Sequence, residues 1–303
     1  IHAANLINAG ILPLTFEKPE DYVKLEQNTA LSLENLDLRG FHCHVGSQVF
    51  DSDVFIQSAD IMLEFIKEME QEGITISAIS VQNEPNAIQP WESCQYTAEQ
   101  ERDFIEHYLA PALDSADLSH IKIIIWDHNK ERVYERARDT FSSAAVKNRV
   151  WAVGHHWYSG DHFESLRLIH EQFNKVLISS EICGLIYEDP ITLAEKYAKE
   201  ICEDFNNFTS YFCDWNLLLD DEGGPFHNRT RKPKPGQKIF EDKSKGCHAP
   251  VLYNRQNGEL TYTPIYYYIG HFSKYIQKGA YRIATTKHDY RLHVCGFQNP
   301  DGS

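Results

Sequence analysis

The regular alternation of short apolar runs with amphipathic segments is the feature that most restricts the fold of this chain. From about residue 74 onwards, runs rich in β-branched residues alternate with segments whose apolar residues recur at helical spacing. The predicted strands are Ile74–Val81, Ile121–Trp126, Val150–Val153, Val176–Ser179 and Tyr211–Leu217. Strands that alternate with helices in this way pair in parallel, and each helix crosses over the sheet. The pattern therefore predicts an α/β fold built on a parallel sheet.

Helical segments fill the intervals between these strands. Thr97 and Gln100 match a capping box, which predicts a helix start at that point. Leu193, Tyr197 and Ile201 follow i, i+4 spacing and predict one buried helix face. The further predicted helices are Ile56–Met69, Arg132–Phe141, His162–Phe173 and Pro264–Ile276.

Two architectures use such strand–helix units, the doubly wound sheet and the (β/α)₈ barrel. A doubly wound nucleotide-binding domain carries a GxGxxG motif after its first strand, and this sequence has none. Polar, aromatic and acidic residues crowd the carboxyl ends of successive predicted strands, where barrel enzymes keep their chemistry. We therefore expect a TIM barrel.

Charge and cysteine content exclude several classes of function. Lys and Arg number 29 against 44 Asp and Glu, so the net charge is −15 and nucleic acid is an unfavourable partner. No run approaches the ~20 apolar residues that span a bilayer, so we expect no integral membrane segment. The seven cysteines are scattered without a CxxC motif, so we predict neither a disulfide framework nor a metal site.

Two glutamates follow predicted strands that lie three strands apart. Glu84 follows the first of these strands within Gln82–Pro85, and Glu181 follows Val176–Ser180. Glycoside hydrolysis requires two such carboxyl groups, one protonated to release the leaving group and one ionised. A barrel also carries many acidic residues without catalytic roles, so the spacing alone leaves both interpretations open.

The chain from about residue 65 to residue 303 resembles the glucosylceramidase-type glycoside hydrolases of family 30. The segments that carry the resemblance are Ile79–Pro85, Trp91–Leu113, Ile125–Val133, His156–Glu164, Glu181–Cys183, Asp214–Leu219 and Tyr266–Arg282. By this resemblance Glu84 corresponds to the general acid/base and Glu181 to the nucleophile of a retaining β-glycosidase. Asn83 would hydrogen-bond the sugar 2-hydroxyl.

The resemblance also implies contacts around the sugar. His156 and Tyr158 would lie beside the nucleophile, and Trp215 would form an aromatic wall for the sugar in the −1 subsite. Asp127 also follows a strand and would line the site. For Trp157 we expect ordinary core packing. The implied partner is a β-glucoside or a glucosylceramide-like substrate, and no cofactor is implied.

The amino-terminal part resembles two other families, so the chain looks like a mosaic. Residues 1–36 resemble the carboxyl-terminal domain of aconitases, through segments that include Gly10–Phe16. Residues 38–68 resemble diaminopimelate decarboxylases through Leu38–Gln48, in which His44 matches a histidine that lies against pyridoxal phosphate. The Schiff-base lysine segment and the aconitase cluster cysteines have no match, so we expect both of those activities to be absent.

These resemblances predict a domain plan. Residues 1–64 form a foreign amino-terminal segment, residues 65–278 the barrel with its strands four to eight, and residues 279–303 the start of a small carboxyl-terminal β-sandwich. The barrel is then either incomplete or completed by a foreign part, and Leu38–Val45 would stand in as a third strand. Lost sugar contacts from the first three strands predict weak turnover or none.

Three functions therefore remain open on sequence alone: a retaining β-glycosidase, an inactive barrel fragment that binds sugar weakly, and a remnant of a pyridoxal-phosphate decarboxylase. No signal peptide is recognisable, and the chain begins at Ile1, so we expect a missing or processed amino terminus. Members of the resembled family are often secreted or lysosomal. The sequence does not indicate a compartment or an oligomeric state.

Overall fold

The structure is a computed structural model that describes residues 41–42, 52–88, 93–224 and 246–303, the first pair as backbone only. These residues form two compact units. The amino-terminal unit comprises the described residues up to Trp126 together with Arg138–Trp151. The carboxyl-terminal unit comprises the described residues of Asp127–Ala137 and Ala152–Ser303. The aconitase-like segment and His44 lie outside the described residues.

Parallel strands form the sheet of the amino-terminal unit. Strand β1 (Phe41–His42) pairs with β2 (Ala78–Ser80), and β2 pairs with β3 (Lys122–Asn129), which belongs to this unit as far as Trp126. Phe41 therefore lies opposite Ile79. β1 lies within residues 38–68, the range that resembles diaminopimelate decarboxylases, and it is the strand directly before β2 in the sheet. The regular part of β2 is shorter than predicted, because only three of its residues share the register of β3.

The carboxyl-terminal unit continues the parallel pattern. Strand β4 (Val150–His156), which belongs to this unit from Ala152 onwards, pairs with β5 (Val176–Glu181), and β5 pairs with β6 (Thr209–Phe212). β6 ends five residues earlier than predicted. Beyond Phe212 the chain remains attached to the end of β5, since the Cys213 and Trp215 backbone N–H groups donate to the carbonyls of Ser179 and Ile182 at 2.8 and 2.9 Å.

The predicted helices occur in the predicted order, together with one at Ala144–Arg149 that was not predicted. They are α1 (Ser52–Gln71), α2 (Ala98–Phe104), α3 (Ala110–Ser115), α4 (Val133–Thr140), α5 (Ala144–Arg149), α6 (Phe163–Phe173), α7 (Pro190–Asn206) and α8 (Pro264–Ser273). The predicted capping box is confirmed, since Thr97 and Gln100 exchange side-chain and backbone hydrogen bonds at the start of α2. A π-helical turn at Ile105–Leu109 joins α2 to α3. None of the helices in the described parts of the chain combines the length and the apolar character of a membrane-spanning segment.

Two small sheets follow in the carboxyl-terminal unit. One contains β7 (Leu218–Asp220), β8 (Val251–Tyr253) and β9 (Leu260–Tyr262), and the other pairs β10 (Tyr281–Ile283) with β11 (Gly296–Gln298). The last strand, β11, begins at Gly296. A local turn precedes it, in which the Asp289 carboxylate accepts the Arg291 backbone N–H at 2.9 Å.

The predicted face of α7 is buried against the rest of its unit. Leu193, Tyr197 and Ile201 are each at most 1% exposed. Trp157 packs edge-on against Tyr197, with ring centroids 4.9 Å apart, inside an apolar cluster that also contains Ile182. This packing confirms the core role expected for Trp157.

Lys130 is fully buried directly after β3. Its ammonium group pairs with the carboxylates of Glu200 and Asp204 on α7, the latter at 3.2 Å, and lies 4.0 Å from the ring centroid of Phe163. Burial raises the pKa of Asp204 to about 7 against the opposing attraction of Lys130. A buried ammonium group of this kind is stable only with such partners.

The raised pKa of Asp204 predicts a pH dependence of stability. The folded carboxyl retains a proton that the unfolded one loses near pH 3.8, so this contribution disappears as pH rises towards about 7. The unfolding free energy of the wild type, relative to Asp204→Asn, should therefore decline across that interval. Urea unfolding of both proteins at a series of pH values measures the difference.

Asp60→Asn serves as the matched control, because Asp60 is exposed on α1. Its stability should follow the wild-type pH dependence throughout. Parallel curves for the wild type and Asp204→Asn would contradict the prediction.

Candidate active site

Glu84 lies in a tight turn at the carboxyl end of β2 in the amino-terminal unit. Its side chain is buried, and its backbone carbonyl accepts the Ala87 N–H at 2.9 Å. The backbone N–H of Tyr96 donates to the carbonyl of Pro85, also at 2.9 Å, and this bond connects the turn to the segment that leads into α2.

Asn83, directly before Glu84, is half-buried, and its backbone carbonyl accepts a hydrogen bond from the side-chain amide of Gln82. The turn therefore holds Asn83 and Glu84 at a strand end, as predicted.

Three residues at these strand ends have left-handed backbone conformations. The φ angles are 49° at Glu84, 70° at Trp126 and 50° at Asp127. Such conformations cost about 1–3 kcal/mol for residues other than glycine, and they cluster at functional sites. The Trp126 N–H donates to the buried carboxylate of Glu101 at 3.0 Å, which stabilises the distorted end of β3.

Glu181 ends β5 in the carboxyl-terminal unit. The Tyr158 hydroxyl, from the loop after β4, donates to Glu181 Oε1 at 2.9 Å. Partial desolvation of the hydroxyl, and then the negative charge of Glu181, raises the pKa of Tyr158, although the residue as a whole is 44% exposed. The hydroxyl therefore remains protonated and acts as a permanent donor to the carboxylate.

Asp127 connects the ends of three strands. Its Oδ1 accepts from Ser180 Oγ at 2.5 Å and lies 3.1 Å from His156 Nε2. Ser180 directly precedes Glu181 on β5, and His156 is the last residue of β4. The structure thus brings together four of the residues named from the sequence: Asp127, His156, Tyr158 and Glu181.

Trp215 lies on the same edge of the carboxyl-terminal unit, where it is half-buried. Its backbone N–H donates to the backbone carbonyl of Ile182, the residue after Glu181, at 2.9 Å. Its neighbour Asp214 accepts a hydrogen bond from Tyr197 at 3.3 Å, and burial raises the pKa of Asp214 to about 7.

Sequence reasoning missed several polar residues here. Asn129 Oδ1 accepts the Tyr158 backbone N–H at 3.0 Å and positions that tyrosine. Ser180 and Asp214 were also missed. The signal that could have found all three residues is their location next to predicted strand ends. Their side-chain contacts depend on the order of the strands.

The model of the glycosyl hydrolase family 30 TIM-barrel domain matches residues 47–276. The chain belongs to glycosyl hydrolase family 30. This membership confirms the expected barrel class over a doubly wound sheet. The matched range also includes α1, which runs without interruption through residues 64 and 65.

Relatives of this family 30 chain include putative glucosylceramidase 3 from Caenorhabditis elegans and lysosomal acid glucosylceramidase from Mus musculus. Both are 28% identical, over 79% and 83% of this chain and 46% and 49% of their own lengths. SrfJ from Salmonella typhimurium is 33% identical with a TM-score of 0.77, over 85% of this chain and 55% of that one. The endo-β-1,6-glucanase BT3312 is 26% identical with a TM-score of 0.72, covering 85% and 56%.

The chain spans about half the length of the curated relatives that it matches. A shorter similarity connects it to diaminopimelate decarboxylase from Corynebacterium efficiens, with 43% identity over 53 residues, which are 17% of this chain and 12% of that enzyme.

The left-handed conformation of Glu84 predicts a stability difference between two variants of this family 30 chain. Glycine adopts a positive φ without steric cost, whereas a Cβ atom costs about 1–2 kcal/mol there. Glu84→Gly should therefore have a higher unfolding free energy than Glu84→Ala, by about 1 kcal/mol, measured by denaturant unfolding.

Ala112→Gly, within α3, is the control. There glycine should lower the unfolding free energy, because glycine in a helix costs about 1 kcal/mol relative to alanine. If Glu84→Ala were as stable as Glu84→Gly, the backbone at this position would not be strained.

Proposed function

We propose that this family 30 domain carries the catalytic centre of a retaining β-glycosidase, with Glu181 as nucleophile and Glu84 as general acid/base. The observation that supports it best is the hydrogen bond from Tyr158 to Glu181, because a protonated phenol favours the ionised carboxylate that must attack. In the first step, a Glu181 oxygen bonds to the anomeric carbon while Glu84 protonates the departing glycosidic oxygen. In the second step, Glu84 deprotonates a water molecule, which displaces Glu181. This mechanism requires the two carboxyl groups to lie about 5–5.5 Å apart.

The network around Asp127 supports this role by limiting the movement of the nucleophile. The Ser180 hydroxyl donates to the Asp127 carboxylate, and the backbone N–H of Tyr158 donates to the Asn129 side chain. Both contacts restrict residues on either side of the Glu181 carboxylate. Such pre-organisation lowers the cost of reaching the transition state.

The proposed substrate is a β-glucoside, with Trp215 as the aromatic wall of the −1 subsite and Asn83 as the partner of the sugar 2-hydroxyl. The names of the relatives support this class, since they include glucosylceramidases and an endo-β-1,6-glucanase. A glucosylceramide-like lipid is the first substrate to test, and a β-1,6-linked glucan is the second. We expect slow turnover by this chain, because contacts from the first three barrel strands have no recognisable counterpart.

We also propose the domain plan of a foreign segment at residues 1–64, a barrel at residues 65–278 and the start of a β-sandwich at residues 279–303. The parallel pairing of β1 with β2 and the short decarboxylase similarity support a transplanted barrel strand. The aconitase-like origin of residues 1–36 remains a prediction from sequence.

A mechanism-based label tests the proposed chemistry even if turnover is slow. A 2-deoxy-2-fluoro β-glucoside with a dinitrophenyl leaving group should attach its sugar to Glu181, because the fluorine slows the second step more than the activated first step. Peptide mass mapping should find the sugar on the Glu181 peptide of the wild type and none on Glu181→Gln.

Azide provides the matching test for Glu84. Glu84→Ala should hydrolyse dinitrophenyl β-glucoside and, with azide, yield the β-glucosyl azide, since departure of this leaving group needs no acid. An α-configured product would indicate inversion and contradict the mechanism. Absence of the label from an otherwise folded wild type would contradict the site.

Removal of the Tyr158 hydroxyl should slow the reaction. Tyr158→Phe removes the donor that orients the Glu181 carboxylate, and because a displacement of about 1 Å can cost about 100-fold in rate, the rate of labelling of Glu181 should fall by about 10- to 100-fold. The reagent concentration that gives half of the maximal labelling rate should stay unchanged, because the hydroxyl contacts the nucleophile. Tyr290→Phe, at an 84% exposed tyrosine, is the control and should react at the wild-type rate.

A further inference from the structure

A polar seam joins the last turns of α7 to the segment that precedes β11. Glu203 on α7 accepts from Lys287 at 3.0 Å and lies 2.8 Å from His293 Nδ1. The side-chain amide of Asn206 donates to the Val294 carbonyl at 2.8 Å. These contacts fix the carboxyl-terminal hairpin against the helix within one compact unit.

Two cysteines lie inside this seam. The Sγ atoms of Cys202 on α7 and Cys295 beside β11 are 3.6 Å apart, although the residues are 93 positions apart in the sequence. Cys202 is buried, and Cys295 is half-buried. Both thiols are free, so a shift of about 1.6 Å would bring the sulfurs to disulfide distance.

The geometry points to Cys202 and Cys295 as a redox-active pair that forms a disulfide by exchange with a low-molecular-weight disulfide. This cross-link would join α7 covalently to the hairpin formed by β10 and β11. It is independent of the proposed glycosidase chemistry.

The exchange has two steps. The Cys295 thiolate, the more accessible of the two, attacks a sulfur of the small disulfide and releases one small thiolate. The Cys202 thiolate then attacks the Cys295 sulfur of the mixed disulfide and releases the second small thiolate. The two cysteine thiols are oxidised, the small disulfide is reduced to two thiols, and the two cysteine protons pass to the products.

The electrostatics of the pair agree with this order. A hydrogen bond between the two thiols lowers the pKa of Cys295, while the same bond raises that of Cys202. Cys295 is therefore the first of the two to reach the reactive thiolate form.

The wild-type chain itself provides the main test. After equilibration with oxidised glutathione and alkylation of the remaining thiols, non-reducing peptide mapping should find the Cys202 peptide linked to the Cys295 peptide. The apparent melting temperature should rise by about 5 °C over the reduced protein, since the link closes a long loop. Cys183 and Cys247 also share a thiol hydrogen bond, so the map must distinguish the two pairs.

Single serine variants isolate the effect. Cys202→Ser and Cys295→Ser should each lose the linked peptide, whereas Cys213→Ser, at an exposed cysteine of the same unit, should keep it. Complete alkylation of both cysteines in the oxidised wild type would overturn the proposal. A link confined to Cys183 and Cys247 would also overturn it, and the wild-type map decides even if a variant fails to fold.

Discussion

The ion pairs of Lys130 are the contacts on which the arrangement of the site depends. A fully buried ammonium group is unstable without carboxylate partners, so the residues just after β3 are bound to Glu200 and Asp204 on α7. Asp127 and Asn129 precede Lys130 by only a few residues. Their positions at the carboxyl end of β3 are therefore fixed by a contact made deeper in the same unit, rather than by the exposed edge of the sheet.

From that anchored strand end, hydrogen bonds extend to the neighbouring strands. Asp127 contacts the last residue of β4 and Ser180 on β5, and Asn129 holds the backbone of Tyr158. Tyr158 in turn donates to Glu181. The left-handed conformations of Trp126 and Asp127 belong to the same region. Backbone strain at this point is compensated by the polar contacts that it allows.

The proposed origin of β1 in another barrel family is physically reasonable for its position in the sheet. A parallel strand needs only a neighbour with matching backbone hydrogen bonds and a helix to cover it. β1 fulfils the first condition by pairing with β2, and α1 follows it in the sequence. A strand from one barrel can therefore occupy a position in another, because the backbone ladder is nearly independent of side-chain identity. Under that proposal, the sugar contacts from side chains of the replaced strands would not be transferred with the backbone.

The sequence alone determined the parallel α/β pattern, the capping box at Thr97, the buried face of α7 and the strand-end locations of Glu84 and Glu181. These features depend on periodicity and on short-range hydrogen bonds. Only the tertiary structure decided that β6 ends before Cys213 and that Lys130 is buried. It also decided that Ser180 and Asn129 form hydrogen bonds to Asp127 and Tyr158. Those outcomes depend on contacts between residues 29 to 74 positions apart, and no local pattern encodes which distant carboxylate or amide will lie within hydrogen-bonding distance.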